Sequence, residues 1–208
     1  MKRIFISCAL FLCTISLSAQ TKMTAKEAAL KIADRILDST TYEFKNTKTG
    51  EVYKSVKKLP LSMDVKVACK YNNWHYTNGV TNIALMELAD KVGDKKYDKY
   101  VLKNMNFVFN EGNLDFFRRQ YDQAFKDGGW NAVRKLSWHM IFRGKRLDDN
   151  GPMGASLIEL QMRHPNEAFL SYVNETADHL NYAEPRLVDG TTVSYTHLRA
   201  HETGRNIV

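Results

Sequence analysis

The chain is poor in cysteine and proline, and no hydrophobic run in it is long enough to cross a membrane as a helix. Its 208 residues include three Cys, four Pro and 11 Gly, which excludes a collagen-like or proline-rich fibre. A membrane-spanning helix needs roughly 20 apolar residues, whereas polar residues interrupt the longest apolar stretch, 4–17. With 44% hydrophobic and 25% charged residues, the composition excludes a fully disordered chain and predicts one domain or two small ones.

The N-terminus has the order of features found in a secretory signal. Lys2 and Arg3 precede the apolar segment 4–12, and small residues follow at 17–19. We therefore expect residues 1–19 to be a signal peptide cleaved after Ala19; the alternative is a buried N-terminal helix. Two of the three cysteines would leave with it, so that the mature chain has no internal disulfide. Periplasmic or secreted localisation follows from this interpretation.

The C-terminus differs in character from the rest of the chain. Residues 193–203 resemble a translated DNA-sequencing adapter, so we expect 192–208 to be a non-native tail, with natural sequence stopping near Gly190 or Thr191. The alternative is a real polar tail. Removing both ends takes away four basic residues and one acidic residue, and lowers the net charge from +7 to +4. The remaining basic residues are spread along the chain, which argues against a nucleic-acid surface.

The interior is predicted to be helical. Thr24 and Glu27 form a capping-box pattern that opens a helix over 24–39. The interval 40–70 contains turn signals and predicts a loop with one short helix or extended piece. Apolar residues at helical spacing predict two further helices, at 79–91 and 94–110, with Gly93 as a left-handed C-cap between them.

The same pattern returns later in the chain. A helix opening at Gly154 is followed by one with Phe169, Tyr172 and Val173, which repeats the spacing of Tyr97, Tyr100 and Val101. This is a helical-hairpin repeat, whose units need neighbours to bury their faces. Between the copies, 113–146 is rich in aromatic residues and predicts one or two short helices. Its rings are expected to pack in the core, or, for Trp130 or Trp138, to stack on a carbohydrate.

Two polar and aromatic segments precede the first helix of each repeat. The first, 71–79, contains Trp74, His75 and Tyr76, and the second, 146–154, contains Asp148 and Asp149. Their common register predicts that both project from the same end of the helix array, where they could form a ligand site. The local alternative is helix capping by Asn78 and by Asp149 or Asn150, with Pro152 in the first helical turn.

These segments resemble the two signatures of glycoside hydrolase family 105, the unsaturated rhamnogalacturonyl hydrolases related to family 88. The first signature is carried by Trp-His-Tyr-Thr-Asn-Gly at 74–79, followed by Leu-Ala at 88–89 and Gly-Asp-Lys-Lys-Tyr at 93–97. The second is carried by Leu-Asp-Asp-Asn-Gly-Pro-Met-Gly-Ala at 147–155. The resemblance implies an all-α fold in which residues 20–191 are the N-terminal part of an (α/α)6 barrel, or alpha toroid.

The resemblance also implies roles for individual residues. Tyr76 would line the subsite for the unsaturated sugar, with Trp74 and His75 beside it. Asp149, next to Asp148, would be the first of two active-site carboxylates. The second, the general acid/base, lies in a Trp-Leu-Asp-like motif that the 208 residues do not contain. Half of a closed barrel would also leave the apolar faces of its inner helices unpaired, so we expect a fragment that is unstable, aggregation-prone and inactive.

The implied substrate is an unsaturated uronyl oligosaccharide left by a polysaccharide lyase. A carboxylic acid protonates C4 of its C4=C5 double bond, and water adds at C5. No cofactor, nucleic-acid partner or membrane partner is expected. No metal is expected either, because no His, Cys or Asp spacing is typical of a metal site. Two alternatives remain open: a non-catalytic helical-repeat protein that binds a sugar or peptide, and another enzyme on the same barrel, such as a lyase or an ordinary glycosidase.

Overall fold

Six α-helices and one small sheet form the part of the chain that is described. The structure is a computed structural model and describes residues 23–142, 147–183 and 186–190, without the side chains of 111 and 147–150. The expected signal peptide, 1–19, and the whole of the expected tail, 192–208, lie outside these residues. The elements, in chain order, are α1 (Ala25–Ser39), β1 (Phe44–Asn46), β2 (Val52–Tyr53), β3 (Val65–Val67), α2 (Tyr76–Val92), α3 (Lys96–Val108), α4 (Glu111–Val133), α5 (Leu147–Arg163) and α6 (Glu167–Tyr182). Short 3-10 turns occupy Val56–Lys58 and His139–Phe142.

The predicted all-α class is confirmed, while the barrel remains a prediction. Helix α1 starts with the predicted capping box: the Thr24 hydroxyl accepts from the amide of Glu27 (3.2 Å), and the Glu27 carboxylate accepts from the amide of Thr24 (2.8 Å). Gly93 ends α2 in the left-handed conformation, with φ of 69°, as its sequence position predicts.

The interval 40–70 folds back on itself as a three-stranded antiparallel sheet in the order β2-β1-β3. Phe44 on the central strand pairs with both Tyr53 and Val67. Its buried ring packs against the aromatic rings of Phe107, Phe116 and Phe117. The sheet therefore covers one side of the helical core. It is the extended structure that was one of the two possibilities predicted for residues 40–70.

The aromatic interval after α3 forms one long helix, where short helices were expected. Asn110, expected to be the last residue of the preceding helix, instead caps α4 by accepting from the amide of Gly112 (3.1 Å). Helix α4 continues to Val133 with a break at Gly129, whose φ of 56° is non-helical. Trp138 is buried and Trp130 is 44% exposed, so the core interpretation is correct for Trp138.

Both helices that follow the polar segments begin earlier than predicted. Helix α2 begins at Tyr76 instead of Gly79, because His75 rather than Asn78 is its N-cap residue. Helix α5 begins at Leu147 instead of Gly154, so Asp148 and Asp149 belong to its first turn and do not precede it. Pro152, expected in the first turn, therefore lies further inside the helix.

The core is built from two successive helical hairpins. Helices α2 and α5 pack against each other more extensively than any other pair of described elements, and each also packs against the helix that follows it. Helix α1 lies against α3, where the Tyr97 hydroxyl donates to Asp34 (2.9 Å) and the ammonium of Lys96 lies 2.7 Å from the same carboxylate. The predicted hairpin repeat is thus present as the pairs α2–α3 and α5–α6.

Candidate active site

His75 begins the first predicted site segment as a helix cap. Its Nδ1 atom accepts from the amide of Thr77 (3.4 Å) and lies 2.8 Å from the Thr77 hydroxyl. The His75 ring therefore closes the first turn of α2 through its Nδ1 atom.

Asn78 is buried and holds the loop that leads into α2. Its side-chain amide donates to the carbonyl oxygens of Lys70 (3.0 Å) and Asn73 (3.1 Å), and to the side-chain oxygen of Asn73 (2.6 Å). Asn72, also buried, donates to the carbonyl oxygen of Thr41 (3.0 Å). The alternative in which Asn78 caps α2 is wrong, because His75 is the cap and the Asn78 amide stabilises the preceding loop.

Trp74 faces the core. Its side chain is 1% exposed, and its ring meets the rings of Tyr172 and Phe109 edge to face, with centroids 5.0 and 6.5 Å away. The expectation that Trp74 lies beside the sugar is therefore corrected: in this structure the ring joins the start of α2 to α6. An extended backbone at His75 places consecutive side chains on opposite sides, which explains why Trp74 is buried while its neighbour is exposed.

His75 and Tyr76 form an exposed ring pair at the start of α2. Their ring centroids are 4.6 Å apart with an interplanar angle of 36°, and Tyr76 is 47% exposed. Aromatic faces with a polar edge are suited to a sugar ring, which presents both apolar C–H groups and hydroxyls. Of the three residues predicted here, these two are accessible to a ligand.

Helices α2 and α5 run parallel and in register. Near their N-termini the backbone of Gly79 lies directly against Pro152 and Met153, and near their C-termini Asp90 binds Arg163. Gly79 and Pro152 are separated by 73 residues, as are Asp90 and Arg163. The two helix starts therefore lie at the same end of the molecule, as the repeat predicted.

The same register places Tyr76 and Asp149 at equivalent positions. They too are 73 residues apart, and each precedes the Gly79–Pro152 contact by one helical turn. The side chains of Asp148 and Asp149 lie outside the described residues, so only the backbone position in the first turn of α5 is established. The structure thus brings the two predicted segments together at the level of the backbone.

A cluster of charges joins the opposite end of the hairpins. The Arg163 guanidinium donates to both oxygens of Asp90 (3.1 and 2.8 Å) and to Glu159 (2.8 Å), and His164 lies 2.5 Å from Asp98 on α3. The hydrogen bond from Arg163 lowers the pKa of Asp90 and in turn raises the pKa of the guanidinium. Only the i, i+4 pair of Glu159 and Arg163 could have been recognised from sequence, because the other partners come from distant helices.

A cleft of about 230 Å³ lies between the end of α3, α4 and α6, and sequence reasoning missed it. Arg118, Ser171, Tyr172 and Glu175 contribute its polar groups, and burial raises the pKa of the Tyr172 hydroxyl. The rest of its lining is mainly apolar, from Phe109, Leu114, Ile141, Phe142 and Ala168. No sequence pattern could find it, because its walls come from segments that are distant in the chain.

Among the described residues, no group of His, Cys, Asp and Glu is arranged to hold a metal ion. Nor is any helix in the described ranges long and apolar enough to span a membrane. No family model and no curated protein matches the chain.

Proposed function

We propose that the chain carries the substrate-binding part of a hydrolase for unsaturated uronyl oligosaccharides. The site lies at the common end of α2 and α5, with Tyr76 and His75 at one helix start and Asp149 at the other. The observation that supports this most directly is the parallel, in-register packing of the two helices, which brings the segments to one end. The assignment to this chemistry comes from the family 105 resemblance of the same segments.

The proposed reaction explains why an acidic residue is wanted beside the aromatic pair. A carboxylic acid gives its proton to C4 of the C4=C5 bond and takes a proton back from water, whose hydroxide adds at C5. The resulting hemiketal collapses, the ring opens and the attached sugar leaves. The acid must stay protonated near neutral pH, and a nearby ionised carboxylate raises its pKa. We assign that second, ionised role to Asp149.

The main acid/base is not among the residues that we can assign. The resemblance places it in a Trp-Leu-Asp-like motif, and the 208 residues contain none. We therefore propose that this chain binds the sugar without turning it over at an enzyme-like rate. Export by a signal peptide stays part of the proposal, because lyase products of large polysaccharides arise outside the cytoplasm.

A binding experiment tests the proposal on the chain itself. We expect an unsaturated galacturonyl disaccharide to bind more tightly than its saturated counterpart, as measured by titration calorimetry or by ligand-detected NMR. Tyr76→Ala and Asp149→Asn should each weaken binding by roughly tenfold or more, which is typical of losing an aromatic contact or a charged hydrogen bond. Glu87→Gln, an exposed carboxylate in the middle of α2, is the matched control.

The outcomes separate the competing interpretations. Equal affinity for both sugars, unaffected by Asp149→Asn, would contradict the hydrolase proposal. Loss of the helical circular-dichroism signal in Asp149→Asn would show that this carboxylate stabilises the first turn of α5, and would contradict its assignment to the ligand. The absorbance of the conjugated double bond reports turnover. If it fell at an enzyme-like rate, the 208 residues would contain the acid/base, and its assignment to a Trp-Leu-Asp-like motif would be contradicted.

The second candidate function is a non-catalytic binding protein. The cleft between α3, α4 and α6 favours this candidate, because it combines apolar walls with the charged groups of Arg118 and Glu175. None of its lining residues belongs to the segments 71–79 and 146–154. In that case Ser171→Trp, which fills the cleft, should abolish ligand binding, while Asp149→Asn should leave it unchanged.

A further inference from the structure

Once the two ends of the chain are left aside, its net positive charge lies in the segment that forms the sheet. Residues 43–70 contain seven lysines and three acidic residues, a net charge of +4. This equals the net charge of residues 20–191 as a whole, so the remainder of 20–191 is neutral overall. The excess of basic residues is therefore concentrated on one structural unit.

The register of the sheet places two of these lysines directly opposite each other. Their neighbours along the strands, Phe44, Val65 and Val67, are buried. Side chains alternate along a strand, so Lys45 and Lys66 face away from the core. Lys45 on β1 pairs with Lys66 on β3, and the Cβ atoms of directly opposed residues are roughly 5 Å apart. Like charges in this arrangement destabilise a sheet.

No acidic side chain compensates for this repulsion. Among the described residues, neither Lys45 nor Lys66 forms an ion pair, whereas Lys48 lies 2.9 Å from the Asp64 carboxylate. Glu43 is exposed and pairs with none of these lysines. Three further lysines follow β2, are exposed and form no ion pair within the described ranges: Lys54, Lys57 and Lys58. A surface of cations without internal counter-charges attracts an anion from outside.

The residue types of this surface indicate the kind of anion. All seven cations of 43–70 are lysines, although residues 20–191 contain eight arginines. Arginine is the preferred residue for phosphate and nucleic acid, because its planar fork binds two oxygens at once. The aromatic residues of the segment, Phe44 and Tyr53, lie opposite each other on the core-facing side, so neither offers a ring for base stacking. Lysine point charges on a face without rings suit carboxylates that are spaced along a polymer.

We propose that the outer face of the sheet binds an acidic polysaccharide of the polyuronide class, through Lys45, Lys66 and the lysines that follow β2. The choice of polymer rests on the proposed function, because oligosaccharides with an unsaturated uronyl end come from polyuronides. Lys66 precedes Tyr76 by ten residues, so the two side chains' backbone positions lie within roughly 35 Å of each other. A polymer held on the sheet would therefore stay near the helix starts.

Binding of polygalacturonate to the full chain, followed by biolayer interferometry, tests this inference. We expect binding that weakens as ionic strength rises, because salt screens exposed charges. Lys45→Gln combined with Lys66→Gln should weaken it roughly tenfold. Lys26→Gln combined with Lys99→Gln removes two exposed lysines from α1 and α3, and is the matched control that should bind like the wild type. Fully methyl-esterified polygalacturonate, an uncharged form of the same backbone, should not bind.

Stability provides a second measurement, because the two opposed lysines repel each other. Lys45→Gln should raise the urea midpoint of unfolding while it weakens binding of the polymer. A merely structural role of the lysine would give the opposite change in stability. A lower midpoint would therefore overturn the inference.

The remaining outcomes identify the partner and separate this inference from the proposed function. Unchanged binding in the double variant would overturn the inference, and so would tighter binding of single-stranded DNA or of phosphatidylserine vesicles through the same lysines. Polymer binding that depends on the lysines and survives Tyr76→Ala would support it, even if the unsaturated disaccharide did not bind. Disaccharide binding without polymer binding would support the proposed function alone and overturn this inference.

Discussion

At the scale of single residues, glycine decides how closely the two central helices approach. A Cβ at Gly79 would lie 2.5 Å from both the amide nitrogen of Met153 and the carbonyl oxygen of Pro152, which no side chain tolerates. Gly154 on α5 is also helical and buried, but a Cβ there would meet only the Thr176 methyl, at 3.4 Å. The first glycine is required by packing, and the second is not.

We expect opposite effects of alanine at these two glycines. Gly79→Ala should lower the free energy of unfolding by about 2 kcal/mol or more, because the backbones of α2 and α5 must separate. Gly154→Ala should leave it unchanged or raise it by about 0.5–1 kcal/mol, because alanine favours the helix. Urea unfolding followed by circular dichroism measures both. Equal destabilisation by the two substitutions would show that the approach at Gly79 is not the cause.

At the scale of elements, ion pairs tie the helix ends together. Arg163 at the end of α5 binds Asp90 on α2, and Lys96 on α3 binds Asp34 on α1. In both pairs the hydrogen bond from the basic side chain lowers the pKa of the aspartate below its ordinary 3.8. These carboxylates are well exposed to solvent, so the pairs orient helices more than they stabilise them.

The lowered pKa values predict a loss of stability in acid. An aspartate whose folded pKa is depressed stabilises the fold above its unfolded pKa, and this contribution disappears as pH falls through the folded value. We therefore expect part of the stability to be lost below about pH 4. Asp90→Asn and Arg163→Met should each reduce the slope of unfolding midpoint against pH in that range. If only one of these two variants had a reduced slope, the Asp90–Arg163 pair would not be the origin of the loss of stability in acid.

At the scale of the whole molecule, aromatic packing connects the two hairpins. Trp74, just before α2, contacts Phe109 after α3 and Tyr172 on α6, and Phe109 also meets Phe169. These rings come from both copies of the repeat, so their contacts join the copies into one core. The Trp-His-Tyr segment therefore has a structural part, Trp74, and an accessible part, His75 and Tyr76.

Removing Trp74 should accordingly destabilise the whole fold, whether or not the proposed site binds a sugar. We expect Trp74→Ala to lower the free energy of unfolding by about 3–5 kcal/mol, the usual cost of deleting a buried tryptophan. Trp130→Ala, at a half-exposed ring, should cost less than about 1 kcal/mol. Thermal unfolding of both variants measures this difference. A stable Trp74→Ala chain that only binds sugar less well would restore Trp74 to the ligand site.

Local patterns were sufficient for the presence of α1, α2, α3, α5 and α6, for the capping box at Thr24, for the left-handed Gly93 and for the shared end of the two site segments, but not for the long helix α4. They failed at helix starts, where His75 caps in place of Asn78 and α5 begins seven residues before Gly154. A cap depends on which side chain the tertiary structure leaves beside the free amides, and several polar neighbours can serve equally well in sequence.

What the sequence alone determined is therefore the helical class, the hairpin repeat and its direction, because these follow from spacing and from turn residues within a few positions. What only the tertiary structure decided is which side chains are buried, with Trp74 inward and Tyr76 outward, and through which face α2 and α5 meet. Both helices are apolar on more than one side, so their sequences permit several packings. The physical reason for the choice is contact with residues 73 positions away, above all the approach at Gly79, which no local pattern encodes.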